Sequence, residues 1–386
     1  MLKLSGHIDP IRQPTDARTS LLTVTADPSL PVVIREHFAL LTDQPRDALG
    51  YGAQLVTNGL ESIDSSLVEP TTYRLPDCFN YLKAGDIVYI DTSKNFLNTL
   101  FRKGSYHNSI LLTEQCNNYC LMCSQPPKKI DDSFLLRRAF ELVKLIPKDA
   151  PRITLTGGEP TLYGESLIEL IKQTKLQLPD TSVDVLSNGR RFKDKEYARR
   201  LGAIKHANCV IAIPVYSDDP VRHDYVVQAH GAFDETIQGI LNLKRFGQKV
   251  EIRIVLHKQT IGRLAKTCEF ICRNLLFVDH VALMGLEITG FTRANLDLLW
   301  IDPFEYKDTL SEAVHILNSY GMNSSVYNHQ LCVINKDVEG NYCKSISDWK
   351  NEYLESCAPC VRRFECGGFF SSSELYKHSS HVTPYL

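Results

Sequence analysis

The chain carries no excess charge of either sign. Its 43 Lys and Arg stand against 45 Asp and Glu, a formal net charge of -2 at pH 7. The basic pairs (Lys128-Lys129, Arg190-Arg191, Arg362-Arg363) are scattered along the 386 residues. A protein that tracks a phosphate backbone needs its cations gathered on one face, so a nucleic-acid partner is not expected. No apolar run approaches the roughly 20 residues that cross a bilayer, and the N-terminus lacks a basic-then-apolar leader. The expectation is a cytoplasmic protein with no membrane partner. Repeats and low-complexity tracts are also missing, which excludes a solenoid and a long disordered tail. What the chain does have is 12 cysteines. In a long chain without a leader these read as reduced thiols and metal ligands rather than disulfides. The length is enough for a large core, split over roughly two or three domains.

Three of the cysteines stand together in Cys116-Asn117-Asn118-Tyr119-Cys120-Leu121-Met122-Cys123, a C-x3-C-x2-C spacing. The loop follows Ser109-Ile110-Leu111-Leu112-Thr113, an apolar run that reads as a strand. Three thiolates on a tight loop can hold three corners of a [4Fe–4S] cubane, leaving one iron open as catalytic sites do. The same residues also suit a zinc loop or buried free thiols. After a helical stretch comes Arg152-Ile153-Thr154-Leu155-Thr156-Gly157-Gly158-Glu159-Pro160, a β-branched strand running into a glycine pair. Glycines let backbone approach a ligand, and their carbonyls with the Glu159 carboxylate can accept from an ammonium group; a plain strand-to-helix turn uses the same residues. Further strands end in Ser187-Asn188-Gly189 and in Tyr216-Ser217-Asp218. Strand carboxyl ends are where α/β sheets bind ligands.

From Ser109 the pattern alternates strand and helix, with further strands at Lys249–Leu256 and His280–Met284. Helical stretches between them carry apolar residues three and four apart, such as Leu135, Ala139, Leu142, Val143 and Ile146. Repeated β-then-α units imply a parallel sheet with right-handed crossovers.

The cysteine spacing and the Gly157-Gly158-Glu159-Pro160 segment, in that order, resemble the radical S-adenosylmethionine (radical SAM) superfamily. The resemblance implies that Cys116, Cys120 and Cys123 hold a [4Fe–4S] cluster whose open iron chelates S-adenosyl-L-methionine. Reductive cleavage of that cofactor then gives a 5′-deoxyadenosyl radical that takes hydrogen from the substrate. It further implies that Gly157, Gly158, Glu159 and Pro160 grip the methionyl amine, and that Ser187, Asn188 and Ser217 make polar contacts. Met122 stands where an aromatic residue is usual, over the adenine. The implied fold is α/β, a partial (β/α)6 barrel over residues 105–325. Residues 1–104 read as a small, mostly β domain, with strands such as Leu21–Val24 and Gly85–Ile90 between proline and glycine turns.

The C-terminal residues 326–386 form a Cys-rich extension. Cys357-Ala358-Pro359-Cys360 and Cys366-Gly367-Gly368 give C-x2-C-x5-C, similar to the auxiliary-cluster (SPASM/twitch) region of peptide-modifying radical SAM enzymes. A fourth ligand to an auxiliary iron–sulfur cluster is expected from Cys332, with Cys343 as the alternative; a tetrahedral zinc site suits the same residues. Cys78, Cys209, Cys268 and Cys272 are expected to be core residues.

Two longer stretches, Ala282–Asp297 and Val326–Cys332 continued by Lys344–Tyr353, resemble the His-Xaa-Ser-system radical SAM maturases, "C" component. That resemblance implies a precursor rich in His-Xaa-Ser repeats, a sister radical SAM maturase and a small accessory protein as partners, with an external electron donor of flavodoxin or ferredoxin type. It implies an oxidative modification or cross-link in the repeat peptide. Glu287 and Tyr216 are the expected catalytic contacts. Two other readings remain, a radical SAM enzyme acting on a small molecule and a non-catalytic iron–sulfur or zinc scaffold. Arg253 is expected in a salt bridge within the barrel, with contact to substrate or cofactor as the alternative, and His223 and Asp224 in pinning a loop.

Overall fold

The computed structural model describes residues 3–11, 17–45, 47–57, 71–344 and 351–386. Residues 345–350, part of one stretch that resembles the maturases, lie outside these. Two sheets divide the chain at about residue 105. The first has eight strands: β1 (Ser5–His7), β2 (Asp9–Pro10), β3 (Thr19–Thr25), β4 (Phe38–Thr42), β5 (Ala53–Val56), β6 (Thr72–Arg74), β7 (Ile87–Asp91) and β8 (Phe96–Phe101). Their order is β1-β8-β7-β3-β4-β5-β6-β2. The two end strands are separated only by Ile8, so the sheet closes into a small barrel around Leu22, Leu55, Tyr73, Phe79 and Leu97. Closure removes the exposed strand edges that an open sheet would present.

The second sheet runs in sequence order from β9 (Asn108–Leu111) through β10 (Arg152–Thr156), β11 (Ser182–Leu186), β12 (Cys209–Pro214), β13 (Lys249–Leu256) and β14 (His280–Gly285) to β15 (Ser324–Tyr327). Every neighbouring pair is parallel. Six strands were expected, and the α/β partial barrel is as expected, but a seventh strand straddles the expected boundary at residue 325. Ser324-Ser325-Val326-Tyr327 has no apolar run to announce it. Ser325 faces inward and meets His280 Nε2 at 3.0 Å, while Val326 on the other face is buried in the main core. Helices cover the outer face, among them Ser133–Leu145, Glu165–Gln177, Ala232–Arg245, Leu264–Asn274 and Lys307–Ser319. Leu135, Ala139, Leu142 and Val143 are buried, as their spacing predicts.

β13 shows how the two faces differ. Val250, Ile252, Ile254 and Leu256 point outward into the helical layer and are buried, while Glu251, Arg253 and Val255 point into the barrel. The lower interior is polar. Arg253 Nε donates to Glu251 Oε1 at 2.5 Å, and Glu251 Oε2 meets His280 Nδ1 at 2.8 Å. Burial disfavours the Glu251 carboxylate, but His280 and Arg253 more than offset that and hold its pKa at about 2. The small barrel packs on this core through Ile87 and Phe101, and the Arg138 guanidinium sits 4.7 Å from the Tyr89 ring centroid. Cys209, Cys268 and Cys272 are buried among core residues, and Cys78 packs against the small barrel's interior. Among the described residues no helix is long and apolar enough to cross a membrane.

The helix Ala232–Arg245 lies so close to the strand-end turn at Gly189 that a Cβ on Gly239 would fall 2.2 Å from the Gly189 carbonyl oxygen. Helix propensity alone favours alanine over glycine by about 1 kcal/mol. The contact is to backbone, so Gly239→Ala is expected instead to destabilise the chain by about 1–3 kcal/mol, read by urea denaturation.

Candidate active site

The cysteine loop is fastened at both ends by backbone. Gly158 N donates to Thr113 O and Glu159 N to Gln115 O, each at 2.8 Å. These two bonds explain the glycine pair. A Cβ on Gly157 would lie 2.6 Å from Thr113 O, and one on Gly158 would lie 2.1 Å from Gln115 O. The glycines therefore admit the cysteine loop itself, a reason in addition to the ligand approach read from sequence. On its far side the loop takes Tyr119 N→Val227 O (3.1 Å) and Leu121 N→Val226 O (3.0 Å). Phe291 N donates to Cys123 O at 2.8 Å, and Asn295 Nδ2 to Leu121 O at 2.8 Å.

Glu159 is fully buried. Its Oε1 accepts from Thr161 N (3.0 Å), Thr161 Oγ1 (2.5 Å) and Ser187 Oγ (2.8 Å), and Oε2 accepts from Asn188 N (2.6 Å). Burial raises its pKa, against these donors. The carboxylate is thus committed to tying β10's end to β11's end rather than opening onto a ligand. Asn188 passes the link onward, its Nδ2 donating to Asn117 Oδ1 at 2.6 Å. Arg190 adds bonds to Asn117 O (2.9 Å) and Asn118 Oδ1 (2.6 Å) and is itself held by Glu235 at 2.6 Å.

Asp132 escaped the sequence reading, although it begins the helix Ser133–Leu145 only 9 residues after Cys123. It accepts from Thr113 Oγ1, Gln115 Nε2 (3.1 Å), Tyr163 OH (3.0 Å) and the backbone N–H of Glu114. A lone acid before a helix looks like a cap, so nothing in its immediate sequence signals this role. Burial works against its charge, but the four donors win and hold its pKa below the usual carboxylate range.

Between these fastenings lies a cavity of about 310 Å³, large enough for a small-molecule ligand. All three cysteines line it, with Met122, Gly157, Gly158, Ser187, Asn188 and Tyr216. Asn118, Arg253 and Met284 also face it; Arg253 is the alternative contact read from the sequence, while only the spatial closeness of several strand ends reveals the other two. Glu159, Pro160, Ser217 and Glu287 do not line it. Pro160 opens the short turn Pro160–Tyr163. The Ser217 hydroxyl accepts from Asp219 N at 3.1 Å within the next turn. Glu287 lies on the β14 exit loop between Leu286 and Ile288, which line a different cleft. Tyr216 reaches the cavity with its ring packed near His223 and His257, and His223 Nδ1 accepts from Tyr216 N at 3.2 Å. Asp224 accepts from Gly231 N and Phe233 N, so both residues pin loops. Burial pushes the Cys116 thiol up to about 11 and raises Cys120 and Cys123 as well. Metal binding here must displace thiol protons.

A second cavity in the C-terminal extension is lined by Cys332, Cys357, Cys360 and Cys366. Cys343 is not among its walls; its backbone N donates to Val326 O at 2.8 Å, beside Tyr327. Gly368 N donates to Cys366 Sγ at 3.4 Å, the kind of bond that favours a thiolate. Tyr353 OH donates to Cys366 O at 2.7 Å, and Arg363 lies 4.8 Å from the Tyr353 ring centroid. All 12 cysteines are free thiols. In both sets the thiols ring a cavity, and among the described residues no three His, Cys, Asp or Glu side chains converge at the spacing of a single metal ion. Three cysteines round one cavity and four round the other suit the donor sets of iron–sulfur clusters with and without an open position.

Residues 110–271 match the family model described as the Radical SAM superfamily. The chain is 30% identical over 185 residues to GTP 3',8-cyclase of Aquifex aeolicus (strain VF5), an overlap of 45% of this chain and 55% of the cyclase. It is 24% identical over 202 residues to the pyruvate formate-lyase-activating enzyme of Clostridium pasteurianum, covering 49% of this chain and 80% of that enzyme. Among solved structures, Streptococcus suis SuiB overlaps at a TM-score of 0.44 with 16% identity, covering 59% of this chain and 50% of SuiB. The chain thus spans about half the length of the cyclase and of SuiB, 55% and 50%. Enzymes of the matched superfamily use a [4Fe–4S] cluster and S-adenosylmethionine.

Asp132→Asn removes one acceptor charge beneath four donors. It is expected to cost about 2 kcal/mol in urea denaturation of the metal-free chain. Because the carboxyl's pKa is depressed in the fold, that stabilisation is complete above the ordinary carboxylate value. It fades as pH falls below about 4, so the gap between wild type and variant should close there.

Proposed function

We propose that this chain, which carries a radical SAM superfamily domain over residues 110–271, modifies a ribosomally made His-Xaa-Ser repeat peptide oxidatively. The observation that carries the proposal is the pairing of two unlike cysteine centres, one of three thiols on an open cavity and one of four in the extension. When bound, the cluster and S-adenosylmethionine supply a one-electron cleavage and a radical able to abstract hydrogen. The chain's own residues do the placing. Cys116, Cys120 and Cys123 hold the cluster, and the backbone of Gly157 and Gly158 with the Ser187 and Asn188 side chains orients the cofactor's polar end. Met122 provides an apolar, polarizable wall. Glu159 acts through Ser187 and Asn188, fixing both by its buried carboxylate. Tyr216 and Arg253 face the remaining space, where the peptide side chain enters.

In this reading Cys332, Cys357, Cys360 and Cys366 hold the auxiliary cluster, which takes the electron left when a product radical closes onto a neighbouring atom. The chain then divides into residues 1–104 as a cover on the barrel, 105–327 as the catalytic barrel including its last strand, and 328–386 as the auxiliary region. Its partners are the repeat precursor, the sister maturase, the accessory protein and an electron donor.

The direct test is the intact mass of a His-Xaa-Ser repeat peptide produced anaerobically with this protein and its sister maturase. Loss of about 2 Da per event is expected with the wild type and none with Cys116→Ala, a radical SAM domain acting through its cluster thiolates. An unchanged peptide mass with an intact cluster would overturn the peptide assignment. For the extension, Cys332→Ala should lose the second cluster's iron by metal analysis and Cys343→Ala should retain it. The reverse result would exchange their roles.

A further inference from the structure

Arg190 clamps the cysteine loop in a way that reaches one of its sulfurs. Its Nη1 donates to Asn117 O at 2.9 Å and to Asn118 Oδ1 at 2.6 Å. Asn117 O and Asn118 N belong to one peptide unit, which is planar and trans, so its C=O and N–H point in opposite directions. Arg190 grips the carbonyl, and the N–H at the other end donates to Cys116 Sγ at 3.4 Å. We propose that Arg190, acting through this peptide unit, sets the reduction potential of the cluster held by Cys116, Cys120 and Cys123. It is a positioning residue, because its own hydrogen bonds go to the loop and not to the sulfur. The inference rests on the cluster assignment made above and is independent of the peptide substrate.

The chemistry of the clamp supports this role. A guanidinium only donates and keeps its charge throughout the working pH range. By drawing electrons from the Asn117 carbonyl it strengthens the N–H on the same unit as a donor. It also fixes the Asn118 amide, since only the oxygen can face it. Asn118 lines the cavity, and its side chain contacts Cys120 as well. Donors aimed at cluster sulfurs favour the electron-rich reduced state and so raise the potential. Glu235 Oε2 holds the guanidinium by its Nε at 2.6 Å, both side chains are largely buried, and Lys193 shares the carboxylate. Asn188 Nδ2 ties Asn117 Oδ1 from β11's exit at 2.6 Å, so the unit is not free to turn. The buried Glu159 carboxylate works the other way, disfavouring added negative charge at Cys116. The donor on this sulfur therefore acts against a standing bias.

The test is a redox titration of the anaerobic, full-length holoprotein without S-adenosylmethionine, following the Cys116-dependent paramagnetic signal. Arg190→Lys keeps the charge, but an ammonium turns freely and has no second nitrogen for Glu235 to hold. At any fixed potential its ratio of reduced to oxidised cluster should fall at least tenfold, about 59 mV for one electron. Glu235→Ala separates aiming from charge. Removing an anion would by charge alone raise the potential, whereas loss of Arg190's anchor lowers it, and a lowered value is expected. An unchanged potential in Arg190→Lys, or a raised one in Glu235→Ala, would overturn the proposal. Wild type gives a reading that needs no variant to fold. Asparagine-selective 15N labelling should add a nitrogen coupling to the Cys116-dependent signal in pulsed electron paramagnetic resonance, and its absence would also overturn the proposal. A wild type with no Cys116-dependent signal would count against the cluster assignment instead.

Discussion

A single buried carboxylate ties two strand ends of this molecule together, and the backbone beside it holds a third. Glu159 accepts four hydrogen bonds, from Thr161 N and Oγ1, Ser187 Oγ and Asn188 N. It sits directly after two glycines whose missing side chains admit the cysteine loop. The cysteines are carried on β9's exit, the glycines on β10's, and Ser187 and Asn188 on β11's. Short loops leaving neighbouring parallel strands would otherwise splay, since nothing in strand pairing fixes their tips. A buried, multiply hydrogen-bonded carboxylate is stiff, because giving up any donor leaves a polar group unmet in a dry interior. The cavity's shape follows from this knot, with Asp132 bracing the cysteine loop from the opposite side.

The two cysteine sets differ in how they are built. The first loop is short and is bonded by backbone to β10, to the Val226–Val227 segment and to Phe291, so its geometry is dictated by the barrel. The second draws Cys332 from a short turn after β15 and the other three from the chain's last segment. Its walls are aromatic, with Tyr353 and Tyr385 held beneath arginines. The extension's hollow thus has four thiols and a largely aromatic and apolar lining, while the first cavity has three thiols and polar strand ends around it. The contrast suits a centre that does chemistry and a centre that moves an electron.

Much of the fold was legible from the sequence because β-branched runs and helical spacing alternate cleanly between Ser109 and Leu317. β15 was not, since its inward position carries Ser325, which meets His280 on the neighbouring strand, and only Val326 faces the apolar core. Closure of the N-terminal sheet was equally hidden, as it depends on β1 and β2 flanking Ile8 and pairing with strands about 65–95 residues away. In the site, the cysteine loop and the glycine pair could be picked out by spacing. The role of Glu159 could not be separated from ligand binding by its motif. Asp132 is invisible as a supporting residue in one dimension, because only the fold brings it against the segment before the cysteine loop; Arg253, read mainly as a salt-bridge residue, both pairs with Glu251 and faces the cavity. Ser217 and Glu287, chosen for their positions at strand ends, do not line the cavity; the Ser217 hydroxyl accepts from Asp219 N.

The most direct test of the central claim is electron paramagnetic resonance of the reduced, anaerobic protein titrated with S-adenosylmethionine, using Cys116→Ala and Cys357→Ala to assign the signals. The account predicts that the cofactor reshapes the signal abolished by Cys116→Ala, because that cluster keeps an open iron. The signal abolished by Cys357→Ala should stay unmoved. A response from the Cys357-dependent signal, or from neither, would contradict it.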